Sequence, residues 1–138
     1  MPGAPAFPYP YSDFKVFKVD PKAMKPAHIE TRGVTLDIAV FNDEPGGTTG
    51  VEDFRPGDEV EWNFFHDEVQ YILKGKAEIT YSLPPIHRKW YKTSAEEGSV
   101  YLIPRGARVK FKVIGNDPYR HLFVVMPGGF YPADKFDR

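Results

Sequence analysis

Apolar and polar residues alternate in short runs along this chain, and no run sustains a helical period. "VTLDIAVF" (34–41) is rich in β-branched residues and predicts the first core strand. "NDEPGGTTG" (42–50) predicts a loop, with proline and glycines for tight backbone. After it come "VEDFRPGDEVEWNFF", "HDEVQYILKG", "KAEITYSL", "SVYLIP", "ARVKFKVI" and "YRHLFVVM", each bounded by Gly, Pro, Asn or Asp. Short strands with frequent turn signals predict an all-β fold, an antiparallel barrel or sandwich. "GNDP" (115–118) predicts a hairpin turn between the last two strands. "SLPPIHRKWYKTSAEEG" (82–98) predicts a longer hairpin connection.

Composition sharpens this picture at the ends. The chain has 138 residues, enough for one domain with its own core, and 14 of them are proline. A proline inside a helix costs about 3 kcal/mol, which leaves little room for long helices. Residues 1–33 read as an arm, because Pro2, Pro5, Pro8 and Pro10 favour extended backbone. Phe7, Tyr9 and Tyr11 in that arm need covering, either by the chain's own barrel or by a second subunit. A short helical turn is expected near Pro21 to Lys25, a barrel over 34–128, and a tail over 129–138.

Charge and cysteine usage exclude several classes. Eighteen basic and nineteen acidic side chains give a net charge of −1, so neither nucleic acid nor a membrane surface is an expected partner. No apolar run approaches the roughly 20 residues that span a bilayer. The amino terminus lacks the basic start and apolar stretch of a secretory signal. Cysteine is absent, which removes disulfides, thiolate metal sites and a cysteine nucleophile. A cytoplasmic location is expected.

The candidate chemistry lies in two glycine-containing motifs. Glu68 and Gly75 form E-x6-G, and Gly98, Pro104 and Gly106 form G-x5-P-x-G. Over residues 34–126 the chain thereby resembles the cupin superfamily, single double-stranded β-helix (jelly-roll) barrels. "DEVQYILKGKAEI" and "EEGSVYLIPRGARVKFKV" are locally similar to the acireductone dioxygenase-like branch. The resemblance implies a metal held by motif histidines, and the chain departs from it there. Trp62 and Phe64 (or, with one more intervening residue, Glu61 and Asn63) occupy the first two histidine positions. Val109 stands at the third, and Val113 at the asparagine position. Glu68 alone carries over.

Strand parity supplies the rest of the expected site. In a regular strand His66, Glu68, Gln70 and Ile72 share a face, so an inward Glu68 brings His66 and Gln70 with it. Pairing across residues 115–118 would set Val109 beside Val124, Phe111 beside Leu122 and Val113 beside Arg120. That register turns His121, Phe123 and Val125 outward as an apolar face for a homodimer. The other imidazoles, His28 and His87, fall before the core strands and in a loop. One His and one Glu do not make an iron, nickel or zinc site, so no metal and no other cofactor is expected. A one-residue bulge turning His121 inward would be the route to a divalent metal.

An acid left among apolar rings is desolvated, and its pKa rises toward neutrality. The expected enzyme therefore uses Glu68 as general acid/base, with His66 as its proton partner. Gln70 would orient a substrate carbonyl or hydroxyl, between walls of Trp62, Phe64, Val109 and Phe111. This chemistry suits a metal-independent isomerase, lyase or cyclase acting on a small carbonyl or aromatic compound. Two rivals stand beside it: a metal-dependent oxygenase with rearranged ligands, and a non-enzymatic barrel that binds a small ligand. Each residue also has a plainer reading, Glu68 and Gln70 as cross-strand pairs, His66 as an exposed rim residue, the rings as core.

Overall fold

The computed structural model describes residues 14–30 and 32–127. Phe7, Tyr9, Tyr11 and the 129–138 tail lie outside them. Among the described residues ten strands form two antiparallel sheets: β1 (Lys25–Ile29), β2 (Val34–Glu44), β3 (Gly47–Phe54), β4 (Glu59–Asn63), β5 (Asp67–Lys74), β6 (Lys76–Ser82), β7 (Trp90–Glu96), β8 (Val100–Ile103), β9 (Arg108–Ile114) and β10 (Tyr119–Met126). One sheet runs β1-β2-β3-β10-β5-β8 and the other β4-β9-β6-β7. The expected short helical turn is a single 3-10 turn, Pro21–Ala23.

The inner faces follow from residue types. On β9, Val109, Phe111 and Val113 are buried, while Arg108, Lys110 and Lys112 face solvent. On β5, Glu68, Gln70 and Ile72 are buried together. Each buried Val, Ile or Phe side chain contributes about 1.5–3 kcal/mol, so these two parities hold the sheets face to face. The outer face of the smaller sheet carries charges that pair across strands, Lys92 with Glu78 at 3.0 Å and Lys110 with Glu59 at 3.8 Å.

Four expectations about element bounds change. β1 lies inside the segment read as an arm, pairs with β2, and buries Ile29. The expected loop at 42–50 is mostly strand, with β2 ending at Glu44 and β3 beginning at Gly47. "VEDFRPGDEVEWNFF" is divided between β3 and β4 by a turn at Arg55–Asp58. The long connection 82–98 contains β7, paired with β6 from Lys76↔Glu96 to Ser82↔Trp90.

The largest correction concerns residues 115–118. They do not close a hairpin: β9 pairs with β4 and β6, whereas β10 pairs with β3 and β5. The segment crosses from one sheet to the other, so the expected Val109–Val124 register is absent. His121, Phe123 and Val125 consequently face the barrel interior, at 0%, 2% and 0% exposure. They cannot form a dimer face.

Gly75 shows what the motif glycine does. It joins β5 to β6 at φ +79°, and a side chain there would run into the Pro118 carbonyl at the start of β10.

Candidate functional site

Glu68 reaches the interior because β5 alternates and because β10 and β8 flank it, with Glu68 opposite Val125 and Ile103. Around it Leu36, Glu52, Phe54, Trp62, Phe64, Gln70 and Phe111 enclose a cavity of about 30 Å³. That is room for one ordered water, or for the reacting end of a small molecule. Burial, and next the Glu52 carboxylate, push the Glu68 carboxyl up to about 7; the Gln70 hydrogen bond and His121 pull the other way.

A hydrogen-bond chain fixes this acid. Gln70 Nε2 donates to Glu68 Oε2 at 2.5 Å, and the Tyr101 hydroxyl donates to Gln70 Oε1 at 2.5 Å. Having spent its proton there, Tyr101 accepts from the Tyr119 hydroxyl at 2.7 Å. Burial and the adjacent Tyr119 raise the Tyr101 phenol far above its usual range. Burial pushes Tyr119 up to about 12. All donors in the chain therefore point toward Glu68.

On the next strands Glu52 and His121 are register partners, 2.9 Å apart between Oε1 and Nε2. His121 Nδ1 lies 3.3 Å from the Tyr119 carbonyl oxygen. A carbonyl only accepts, so this contact takes its proton from Nδ1, while Nε2 faces the Glu52 carboxyl group. Phe54 packs edge-on against the imidazole at 4.8 Å and tilts against Phe111 at 5.3 Å. Arg32 lies over the Trp62 ring at 5.2 Å, and its buried Nε has no hydrogen-bond partner among the described residues.

The expected residues divide. Glu68, Gln70, Trp62, Phe64 and Phe111 meet at one cavity. His66 does not join them: it is half-buried in the bend before β5, which begins only at Asp67, so the strand parity that would carry it inward has not started. Val109 lines a second, larger cavity that shares Phe111 as a wall. Sequence reasoning missed Glu52, Tyr101 and Tyr119, and it turned His121 outward. Alternation in "TTGVEDF" places Glu52 on the face of Gly50 and Phe54; that signal was present, but its partner across β10 was not.

The architecture is a cupin barrel, whose motif positions elsewhere hold a metal, so the donor set can be tested for one. Among the described residues no three His, Asp or Glu side chains gather as a ligand group. The polar atoms near Glu68 are committed to one another. Gln70 presents amide hydrogens to the carboxyl, and both His121 nitrogens face acceptors rather than offering a lone pair. This set does not fit a transition ion.

Comparison with known proteins agrees with the fold. The family model described as "Ethanolamine utilisation protein EutQ" matches residues 14–134, and the chain belongs to that family. No curated protein matches it. It is similar to the Clostridium difficile EutQ protein, at 23% identity and a TM-score of 0.52 over 67% of this chain and 63% of that one. It is similar to the Schizosaccharomyces pombe Cnp3 cupin domain, at 25% identity and 0.54 over 67% of this chain and 61% of that one. The chain thus spans less than two thirds of either structure. Bacillus subtilis oxalate decarboxylase, studied for its Mn(II) centres, shares the fold at 13% identity and a TM-score of 0.62, over 88% of this chain and 32% of that one.

Proposed function

We propose that this protein is a small-molecule acid/base enzyme of the isomerase, lyase or cyclase type, acting on a compound with an enolisable carbonyl. The observation that carries the reading is a carboxyl group, Glu68, buried in an aromatic-walled cavity with a pKa near 7. Such a group is part acid and part base at neutral pH, the condition for moving protons both ways. As carboxylate it takes a proton from the carbon beside a substrate carbonyl, while a proton from the Glu52–His121 pair goes to the carbonyl oxygen. The enol formed returns by the reverse transfer to a different carbon or face. Gln70 holds the Glu68 carboxyl in orientation, and Trp62, Phe64 and Phe111 exclude water. The Glu52–His121 pair takes the part expected of His66. The family's description by ethanolamine utilisation, and the Clostridium relative, support a small metabolite as substrate.

The test is deuterium incorporation from D₂O into a panel of keto acids and hydroxyketones, followed by proton NMR. The native protein is expected to exchange the α-hydrogens of at least one compound, and Glu68→Gln to lose about 100-fold or more of that rate. Exchange at equal rates in both proteins removes Glu68 from the mechanism, and absence of exchange across the panel removes the reading.

We also propose a homodimer in a cytoplasmic setting. The outer face of the six-stranded sheet supports the dimer, since Val69, Tyr71, Leu122 and Val124 share it with no charge among them.

A further inference from the structure

A second cavity opens where the two sheets end. β7 and β8 are the last strands of their sheets, and the seam between them leads to a groove of about 600 Å³. That volume falls in the range of about 300–1,000 Å³ typical of small-molecule sites. It is some twentyfold the space beside Glu68, about 600 against about 30 Å³. Ile79, Ile103, Val109 and Phe111 form its floor, and Tyr81, stacked on Tyr91 at 5.3 Å, stands at one side. Thr93, Ser94 and Ser99 supply hydroxyl groups at the rim, and among the described residues no charged side chain lines it.

These features select a ligand. An ionised group carried into this apolar floor would lose its hydration without a counter-charge, so a buried ion is disfavoured. The Tyr101 hydroxyl is already spent on Gln70 and Tyr119, which leaves the rim hydroxyls to meet a polar group. We propose that the seam between β7 and β8 is a binding site for a neutral aromatic or alicyclic alcohol-sized molecule. The ring rests on Phe111 and Val109, and the hydroxyl remains at the mouth beside Thr93. Phe111 separates this ligand from the Glu68 cavity, so the site is distinct from the proposed catalytic one.

Benzyl alcohol is the probe, titrated into the full-length protein with methyl groups of Ile79, Ile103 and Val109 observed by NMR. Saturable shifts at these methyls are expected, with benzylamine binding more weakly by about tenfold. Thr93 is exposed on the edge strand and opposite Ile79, so Thr93→Trp closes the mouth without touching the core. That variant is expected to weaken benzyl alcohol by about tenfold or more, and Thr93→Ser to leave it unchanged. Shifts that persist in Thr93→Trp, or benzylamine binding equally well, would mean adsorption elsewhere and overturn the site. Methyls that respond to protein concentration but not to benzyl alcohol would give the seam to a second copy of the chain, and the site would again be overturned.

Discussion

At the scale of single residues, Glu68 couples stability to pH in an unusual direction. Most carboxylates are held ionised by folding and stabilise the native state as pH rises. Glu68 has its pKa raised from 4.5 to about 7 by burial and by Glu52, so between those values the folded protein binds the extra proton. Its contribution is therefore fully present below pH 4.5 and is lost as pH rises through about 7, on the order of 3 kcal/mol over the interval. Glu68→Gln keeps the shape and removes the charge. Urea denaturation at a series of pH values should show the native midpoint falling from pH 5 to 8 relative to the variant, and parallel curves would refute the burial argument. Glu68 and Gln70 were legible in the sequence from motif position and strand parity alone. Glu52, His121, Tyr101 and Tyr119 were not, because their meeting depends on the order β3-β10-β5-β8, which no local pattern encodes.

At the scale of elements, legibility tracks how strongly burial is written into alternation. β5, β9 and β10 alternate cleanly, as does β6 as far as Thr80, and their segments appear in the sequence nearly as they fold. β7 is exposed at every position except Ala95, so a strand pairing along a sheet edge looks like a polar connection. The residues at 115–118 have turn chemistry, but a turn says nothing about whether the next strand returns to the same sheet. Gly75 carries part of the answer, since its missing side chain lets the β5–β6 turn touch the Pro118 carbonyl. A Gly75→Ala change meets both a left-handed backbone and that carbonyl, and should cost about 3 kcal/mol or more. By contrast Gly57→Ala, also at positive φ but with open space around it, should cost only about 1 kcal/mol. Thermal midpoints of the two variants check the difference; equal losses would mean the contact with β10 is unimportant.

At the scale of the whole molecule, the two outer faces differ in character. The four-stranded sheet shows solvent a lattice of Lys and Glu, self-satisfied by cross-strand pairs. The six-stranded sheet shows Leu122 beside Tyr71, and Val124 beside Val69, with Tyr71 42% exposed. Apolar area of this kind lowers its free energy by leaving water, and a two-fold axis through the sheet would cover it with its own copy. The parity matters: the sequence placed His121, Phe123 and Val125 outside, and the observed pairing exchanges them for Leu122 and Val124. A charge at the centre of the face should therefore separate the subunits, because an unpaired carboxylate buried twice across the axis has no partner. The native protein is expected to sediment as a dimer at micromolar concentration and Tyr71→Glu as a folded monomer. A native monomer would leave this face to water, and a dimeric Tyr71→Glu would move the interface to another surface of the barrel.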